Sequence, residues 1–287
     1  MSCVRDLLDE GARALLGGEA RREAALLLRH VLGVSDSWLV AHADESIDPT
    51  HVLAFRDLAA RRARGEPIAY LTGTRGFHAL ALQVTPDVLI PRPETELLVD
   101  CALQRIPEDT DCAVADLGTG SGAIALAIAK ARPRTKVVAT DVSGAALAVA
   151  RANATRLALR NVDFAQGDWC APLGDARFDF IVSNPPYIAA GDPHLREGDL
   201  RFEPAAALAA GDDGLDAIRD IVRDARAHLR EGGWLMFEHG FDQGPAAREL
   251  LAAHGYAEVF TERDLEGRER VSGGRCGSSD GSSPVTT

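Results

Sequence analysis

The sequence predicts an α/β protein: a Rossmann-like, mostly parallel seven-stranded sheet, preceded by a small N-terminal helical bundle and a hairpin linker. Three observations carry this. Beyond residue 112, short apolar runs suited to strands alternate with helical stretches, the pattern that builds a parallel sheet covered on both faces. Up to about residue 65 the apolar residues instead recur at helical spacing. The chain has 287 residues, 46% of them hydrophobic and 26% charged, more than one hydrophobic core comfortably holds, so two domains are expected.

The first helices are read from Val4, Leu7, Leu8, Leu15 and Leu16, then from Ala24, Leu27, Leu28, Val31 and Leu32, with breaks at Gly17-Gly18 and Gly33. A third runs from Pro49 to Arg64. It opens on the N-cap candidate Asp48 with proline next, and carries Val52, Leu53, Phe55 and Leu58 on one face. Its last turn bears Arg61, Arg62 and Arg64, a cluster that reads either as a solvated helix end or as a contact for an acidic partner. From Ile68 to Thr85, short apolar runs around Gly73 and Gly76 predict strands, with Phe77, Leu80, Leu82 and Val84 in phase. Pro86, Pro91 and Pro93 then punctuate the chain before a helix over Glu94 to Leu103.

The alternating region gives strands at Ala113–Leu117, Lys136–Asp141, Val162–Gly167, Phe178–Ser183 and Trp234–Glu238, with two more near the C-terminus. Helices are expected at Ala123–Ala131, Ala145–Leu157, near Leu215–Leu229 and near Pro245–His254. The stretch from Ser272 is rich in Gly and Ser and is predicted to stay disordered, since it has too little apolar surface to bury.

Composition narrows the function. Asp116, Lys130 and Asp141 interrupt the most apolar region, so no run reaches the roughly 18 to 20 residues of a membrane span. Acids near the start stand where a signal peptide wants bases, and a cytoplasmic protein is expected. The cysteines at 3, 101, 112, 170 and 276 never fall in Cys-x-x-Cys spacing, so neither a disulfide framework nor a zinc site is signalled. No metal is expected, and His78, His194 and His239 lack ligand spacing. With 31 bases against 43 acids the net charge is −12, which argues against tight binding to bare nucleic acid.

The chemistry is read from the strand ends. Asp116-Leu117-Gly118-Thr119-Gly120-Ser121-Gly122 closes the first strand of the alternating region and runs into a helix, where glycines let backbone approach a ligand at the carboxyl edge of the sheet. The spacing is not the Gly-x-Gly-x-x-Gly of a dinucleotide site. Asp141 ends the next strand, where a carboxylate accepts from both ribose hydroxyls. No Lys follows the glycine turn, so a nucleoside without phosphates fits better, and S-adenosylmethionine is such a ligand. Gly167-Asp168-Trp169 offers an aromatic face and a carboxylate for adenine, although Trp169 reads equally as a packing residue. Glu94, Glu96 and Glu238 read either as contacts for the ligand's amino acid end or as helix caps.

The sharpest feature is Asn184-Pro185-Pro186-Tyr187 after the fourth strand. Prolines fix φ and remove N–H donors, leaving the carbonyls of Asn184 and Pro185 free to face a substrate. The Asn184 side-chain oxygen and the Pro185 carbonyl would accept both hydrogens of one planar –NH₂ group, with Tyr187 against its plane. That pair selects an amide or an exocyclic amine. Methyl transfer would then be an in-line displacement at a sulfonium methyl, driven by positioning and electrostatics.

These residues resemble the peptide chain release factor N(5)-glutamine methyltransferases, the PrmC/HemK family. The resemblance extends over almost the whole chain, through Leu89-Ile90-Pro91-Arg92-Pro93-Glu94-Thr95-Glu96, the glycine turn, Asn184-Pro185-Pro186-Tyr187-Ile188, Arg201-Phe202-Glu203-Pro204 and Glu238-His239-Gly240. It implies a class I S-adenosylmethionine-dependent methyltransferase fold and transfer of a methyl group to the glutamine of the Gly-Gly-Gln motif of class I release factors. By that resemblance Gly118, Thr119, Gly120, Ser121, Gly122, Asp141, Trp169 and Asn184 would hold the cofactor. Asn184, Pro185, Pro186 and Tyr187 would hold the glutamine, with Asn184, Pro185 and Tyr187 in the catalytic role. It also implies a release-factor-docking bundle over 1–66, a hairpin linker over 67–88, a catalytic domain over 89–274 and a disordered tail over 275–287. The chain departs from the family at Ser272-Gly273-Gly274-Arg275-Cys276, which predicts a shortened final strand.

Asn-Pro-Pro-Tyr also occurs in nucleic-acid adenine N6-methyltransferases and in methyltransferases acting on ribosomal-protein glutamine. The acidic charge, with 10 bases against 12 acids in residues 1 to 90, speaks against a nucleic-acid substrate. A non-catalytic binding module is the third reading, and the intact Asn184-Pro185 pair weighs against it.

Overall fold

The computed structural model describes residues 2–15 and 18–277, arranged as two compact units. The first comprises Met1–Thr74 together with Arg196–Phe202, and the second Arg75–Leu195 with Glu203–Thr287. Leu16, Gly17 and the rest of the predicted tail, 278–287, lie outside the described residues.

In the first unit, five helices surround one apolar core: α1 (Val4–Ala14), α2 (Ala20–Leu32), α3 (Asp36–Ala41), α4 (Pro49–Ala63) and α5 (Ile68–Thr72). Asp48 caps α4 by accepting from the Thr50 backbone N–H at 2.7 Å, with Pro49 pre-set for the first turn. Phe55 is fully buried against α1, where a Cβ on Gly11 would lie 2.8 Å from its ring. The packing leaves no room for a larger residue there. The strand expected from Ile68 is instead the single helical turn α5, bracketed by Pro67 and by Gly73 at φ +69°. Two apolar residues of that run, Ala69 and Leu71, are buried, and two alternating positions do not separate a short strand from one helical turn.

Two of the three clustered arginines are paired within this unit. Arg62 forks onto Glu23 at 2.7 and 2.9 Å and reaches Asp199 at 3.0 Å, while Arg61 pairs with Glu66. Arg64 is exposed.

The second unit opens with the hairpin β1 (Thr74–Phe77) and β2 (Leu80–Gln83), followed by α6 (Glu96–Arg105), whose entry at Pro93–Thr95 is a 3₁₀ turn. Then come β3 (Ala113–Leu117), α7 (Ala123–Ala131), β4 (Lys136–Asp141), α8 (Gly144–Arg156), β5 (Val162–Gln166) and β6 (Phe178–Ser183). After a long loop follow α9 (Asp216–Ala225), β7 (Leu229–Glu238), α10 (Gly244–Ala253), β8 (Tyr256–Arg263) and β9 (Glu269–Cys276). The sheet order is β5-β4-β3-β6-β7-β9-β8, with β9 antiparallel to both neighbours and the rest parallel. The chain starts at the centre with β3, winds out to β5 and returns to β6, so the order reverses beside β3. Such a reversal opens a crevice at the carboxyl ends of the strands. Ser183 locks the centre by donating to the Leu117 carbonyl at 2.7 Å.

The predicted shortening of the last strand is corrected. Ser272, Gly273, Gly274, Arg275 and Cys276 are all in β9, so the region read as a tail from Ser272, and the boundary at 274, give way to an eight-residue strand between β7 and β8. The small residues follow from packing. A Cβ on Gly273 would meet the Leu235 carbonyl at 2.6 Å and the Phe260 ring at 2.7 Å, and one on Gly274 would meet Tyr256 at 2.8 Å. In sequence these glycines look like a loop; in the sheet they admit close neighbours. No helix among the described residues is long and apolar enough to cross a membrane.

Candidate active site

A cavity of about 250 Å³ lies at the carboxyl edge of the second unit's sheet, where the turns after β3, β4, β5 and β6 meet. Gly118, Gly120, Asp141, Asp168, Trp169, Asn184 and Pro186 line it, with Val142 contributing apolar surface. Four separate turns flagged in the sequence thus converge. Neither Lys nor Arg lines the cavity, and Asp87, Asp141 and Asp168 give it acidic walls, an environment suited to a cationic ligand without phosphates.

The glycine turn is shaped by its neighbours. Gly118 sits at φ +70°, and a Cβ there would come 3.0 Å from the Trp169 ring, so the aromatic wall requires glycine. The Gly120 N–H donates to Asp141 Oδ2 at 2.9 Å and the Ser143 N–H to Oδ1 at 2.9 Å. Asp141 is therefore both a turn residue and a carboxylate of fixed orientation, each oxygen keeping a further lone pair for a ligand hydroxyl. Trp169 adopts φ +39°, and its carbonyl accepts from Thr140 Oγ1 at 3.1 Å.

Not every residue of the turn reaches the cavity lining. Thr119 Oγ1 donates to Asp116 Oδ2 at 2.6 Å; Ser121 is buried, its carbonyl accepting from Asn153; and Gly122 starts α7 at φ +85°. Asp116 is fully buried beneath the turn, with Oδ1 lacking a hydrogen-bond partner among the described residues. Burial pushes its carboxyl up to about 7 against the opposing hydrogen bonds of Thr119 and Ala125.

The acceptor side is built from side chains. Asn184 Nδ2 donates to Thr95 Oγ1 at 3.0 Å, which fixes the amide and leaves Oδ1 as its unused oxygen. The carbonyls of Asn184 and Pro185 accept no hydrogen bond among the described residues. Pro185 itself is buried behind the cavity lining. Tyr187 packs into the core and donates its hydroxyl to Glu238 Oε1 at 3.0 Å; burial, then the charge of Glu238, push its pKa up and keep the phenol protonated. Its carbonyl is gripped by Gln243 Nε2 at 3.0 Å, and Gly214 passes so close that any Cβ there would collide with it. The tetrapeptide is thus held at both ends.

Several residues acquire partners that the sequence did not disclose. Glu238 is buried at the end of β7, and burial pushes its carboxyl above the ordinary glutamate range, against the hydrogen bond it accepts from Tyr187. Glu203 is buried and accepts from the Ile90 N–H at 3.1 Å and from Arg92, tying the segment before α6 to the cavity wall at Pro204. Glu96 accepts from the His78 N–H at 3.0 Å, a structural contact, and Glu94 is exposed. His239 is buried between the Gly240 carbonyl and Ser272, and burial lowers its basicity; His78 pairs with Asp100 and His194 with Asp192. Among the described residues no group of His, Cys, Asp and Glu is gathered to hold a metal ion. Thr95, Arg92, Glu203 and Glu238 all fall in motifs visible in the sequence. Which of them meet is decided by contacts across as many as 111 residues of chain, which periodicity does not encode.

Comparison with known proteins adds independent findings. Residues 94–201 match the family described as methyltransferase small domain, and residues 6–73 the PrmC N-terminal domain. The chain is 54% identical over 256 residues to the release factor glutamine methyltransferase of Xylella fastidiosa (strain 9a5c), covering 89% of this chain and 93% of that one. To the protein of the same description from Bordetella pertussis (strain Tohama I) it is 51% identical over 275 residues, covering 96% and 99%. Among solved structures, the Thermus thermophilus 16S rRNA N2 G1207 methyltransferase RsmC in complex with AdoMet and guanosine matches with a TM-score of 0.53 at 23% identity. It covers 70% of this chain and 49% of that one, a likeness of fold alone.

Proposed function

Because the chain belongs to the family of release factor glutamine methyltransferases, we propose that it uses S-adenosylmethionine to methylate the N5 side-chain nitrogen of the glutamine in the Gly-Gly-Gln motif of class I release factors. The products are N5-methylglutamine and S-adenosylhomocysteine. A cytoplasmic location suits such a substrate. The cavity fits the cofactor on its own terms: Asp141 is oriented for a ribose diol, Trp169 and Val142 offer surface to an adenine, and acidic walls without Lys or Arg favour a sulfonium over a phosphate.

Bound there, S-adenosylmethionine supplies an electrophilic methyl carbon on a positively charged sulfur. The chain's residues position the acceptor. Asn184 Oδ1 and the Pro185 carbonyl accept the two hydrogens of the glutamine –NH₂, orienting the nitrogen and raising its electron density. Tyr187, held by Glu238, packs at the plane of the carboxamide. As the C–N bond forms and the C–S bond breaks, the nitrogen becomes acidic and releases a proton to water, so no side chain need serve as a strong base. In this reading Gly118, Gly120, Asp141, Trp169 and Asn184 contact the cofactor, whereas Thr119, Ser121 and Gly122 shape the turn. The bundle over residues 1–66 is proposed to dock the release factor, with Arg64 as the cluster's exposed charge.

One observation carries the reading: Asn184 lines the cavity with its amide anchored through Nδ2, which leaves its Oδ1 to accept from a ligand. The test is incubation with methyl-labelled S-adenosylmethionine and a release factor carrying Gly-Gly-Gln or Gly-Gly-Ala. Label is expected only in the first, and equal label in both would overturn glutamine methylation.

A further inference from the structure

Between the end of β6 at Ser183 and Ile188, whose N–H donates to the Leu208 carbonyl at 3.0 Å, the backbone has little hydrogen-bond support. Two prolines remove N–H donors, and among the described residues the carbonyls of Asn184 and Pro185 stay unpaired. One hydrogen bond among those residues holds the backbone of the tetrapeptide, and it comes from the side chain of Gln243. Gln243 immediately precedes α10, is half-buried and does not line the cavity.

The carboxamide of Gln243 joins three segments. Nε2 donates to the Tyr187 carbonyl at 3.0 Å and to the Asp213 carbonyl at 3.3 Å, while Oε1 accepts from the Gly240 N–H at 2.8 Å. These partners decide the residue type. One N–H and two carbonyls require one acceptor and two donors on a single planar group, which is what a primary amide carries. Only the oxygen can accept from Gly240, so the –NH₂ end must face the two carbonyls. The outer partners are themselves fixed. The Asp213 carboxylate accepts from the Leu215 N–H at 3.1 Å and from Arg219 on α9 at 3.0 Å, and the Gln243 N–H donates back to the Gly240 carbonyl at 3.0 Å. Gly214, at φ +74°, leaves the necessary room: a Cβ there would collide with the Tyr187 carbonyl and come 2.8 Å from Gln243 Nε2.

Stiffness carries the effect toward the reaction. With φ fixed at Pro185 and Pro186, few soft torsions separate the Tyr187 carbonyl from the Pro185 carbonyl, so a shift of one moves the other. We propose that Gln243 is a positioning residue: by tying the Tyr187 carbonyl to the Asp213 and Gly240 segments, its amide sets where the Pro185 carbonyl stands beside Asn184. The proposal rests on the two-acceptor reading given above and adds to it a residue that acts from behind the tetrapeptide.

The experiment measures kcat and both KM values for the full chain, with S-adenosylmethionine and an intact release factor, and Tm by calorimetry. Wild type is compared with Gln243→Met, Gln243→Glu and Asn184→Ala. Gln243→Met keeps the length and loses all three hydrogen bonds; Gln243→Glu keeps the shape and turns a carboxylate, which can only accept, toward two carbonyls. The expected loss in kcat is about tenfold for Gln243→Met and about a hundredfold for Gln243→Glu, the scale of a reacting group displaced by about 1 Å. Both KM values should stay nearly unchanged, the mark of an interaction expressed in the transition state. Should Gln243→Glu fail to fold, Gln243→Met decides alone. A lower Tm with kcat at saturation kept, or a loss confined to KM, would overturn the positioning role. So would wild-type kcat in both Gln243 variants beside an inactive Asn184→Ala, and that result would leave the acceptor reading standing. Wild-type kcat in Asn184→Ala would bring down the acceptor reading and the positioning role with it.

Discussion

The two sides of the cavity are built by opposite means. The side proposed to hold the cofactor is mainly backbone: a contiguous glycine turn between β3 and α7, closed by N–H donors from Gly120 and Ser143 onto Asp141. The acceptor side is a network of side chains from three distant segments, Thr95 before α6, Asn184 to Tyr187 after β6 and Glu238 at the end of β7. Backbone donors are fixed by the fold and persist through most substitutions. A side-chain network depends on each of its members, and one altered group can undo it.

The comparison breaks most sharply at Asn184. Asn184→Ala removes one of two acceptors and should cost roughly a thousandfold in kcat, the size of losing a preorganised group that meets the transition state. Single-turnover kinetics should place the loss in the chemical step, with the fold intact by circular dichroism. On the cofactor side, Asp141→Ala should act on binding: calorimetry should show cofactor affinity weaker by about tenfold to a hundredfold, the value of hydrogen bonds to a charged group, with kcat at saturation largely kept. Unchanged affinity would remove Asp141 from the ribose role.

The smallest effect sharpens the contrast within the cofactor side itself. Asp116 lies buried under the glycine turn with its carboxyl raised to about 7, so the folded protein holds that proton more tightly than the unfolded chain. The stability it contributes is complete below the ordinary carboxylate range and is lost as pH rises through about 7. Asp116→Asn cannot ionise and should flatten the decline of Tm between about pH 4 and pH 7 by at least about 1 kcal/mol, or roughly 2–4 °C. Parallel pH curves for the two proteins would assign the destabilisation elsewhere.

The same contrast decides what could be read from residues alone. The glycine turn, Asp141 and Asn184-Pro185-Pro186-Tyr187 are contiguous or sit at strand ends, so their convergence follows from the α/β alternation. Thr95 is visible in the sequence only as a member of a short motif and Glu238 only as a ligand contact or helix cap, because their meaning depends on partners 89 and 51 residues away. The errors have a common source as well. Ile68–Thr72 and Ser272–Cys276 are short segments whose local composition suits more than one state, and tertiary packing chose a helical turn for the first and a buried strand for the second. Arg61 and Arg62 look like free charge in the sequence, yet their carboxylate partners include Glu23 and Asp199, which come from distant parts of the chain.

The central claim is the pair of oxygens presented to a carboxamide, and a crystal structure with S-adenosylhomocysteine and a Gly-Gly-Gln peptide tests it most directly. The glutamine side-chain nitrogen should lie about 3 Å from both Asn184 Oδ1 and the Pro185 carbonyl oxygen, at ordinary hydrogen-bond distance. A glutamine seated elsewhere, or Asn184 meeting it through Nδ2, would contradict the account.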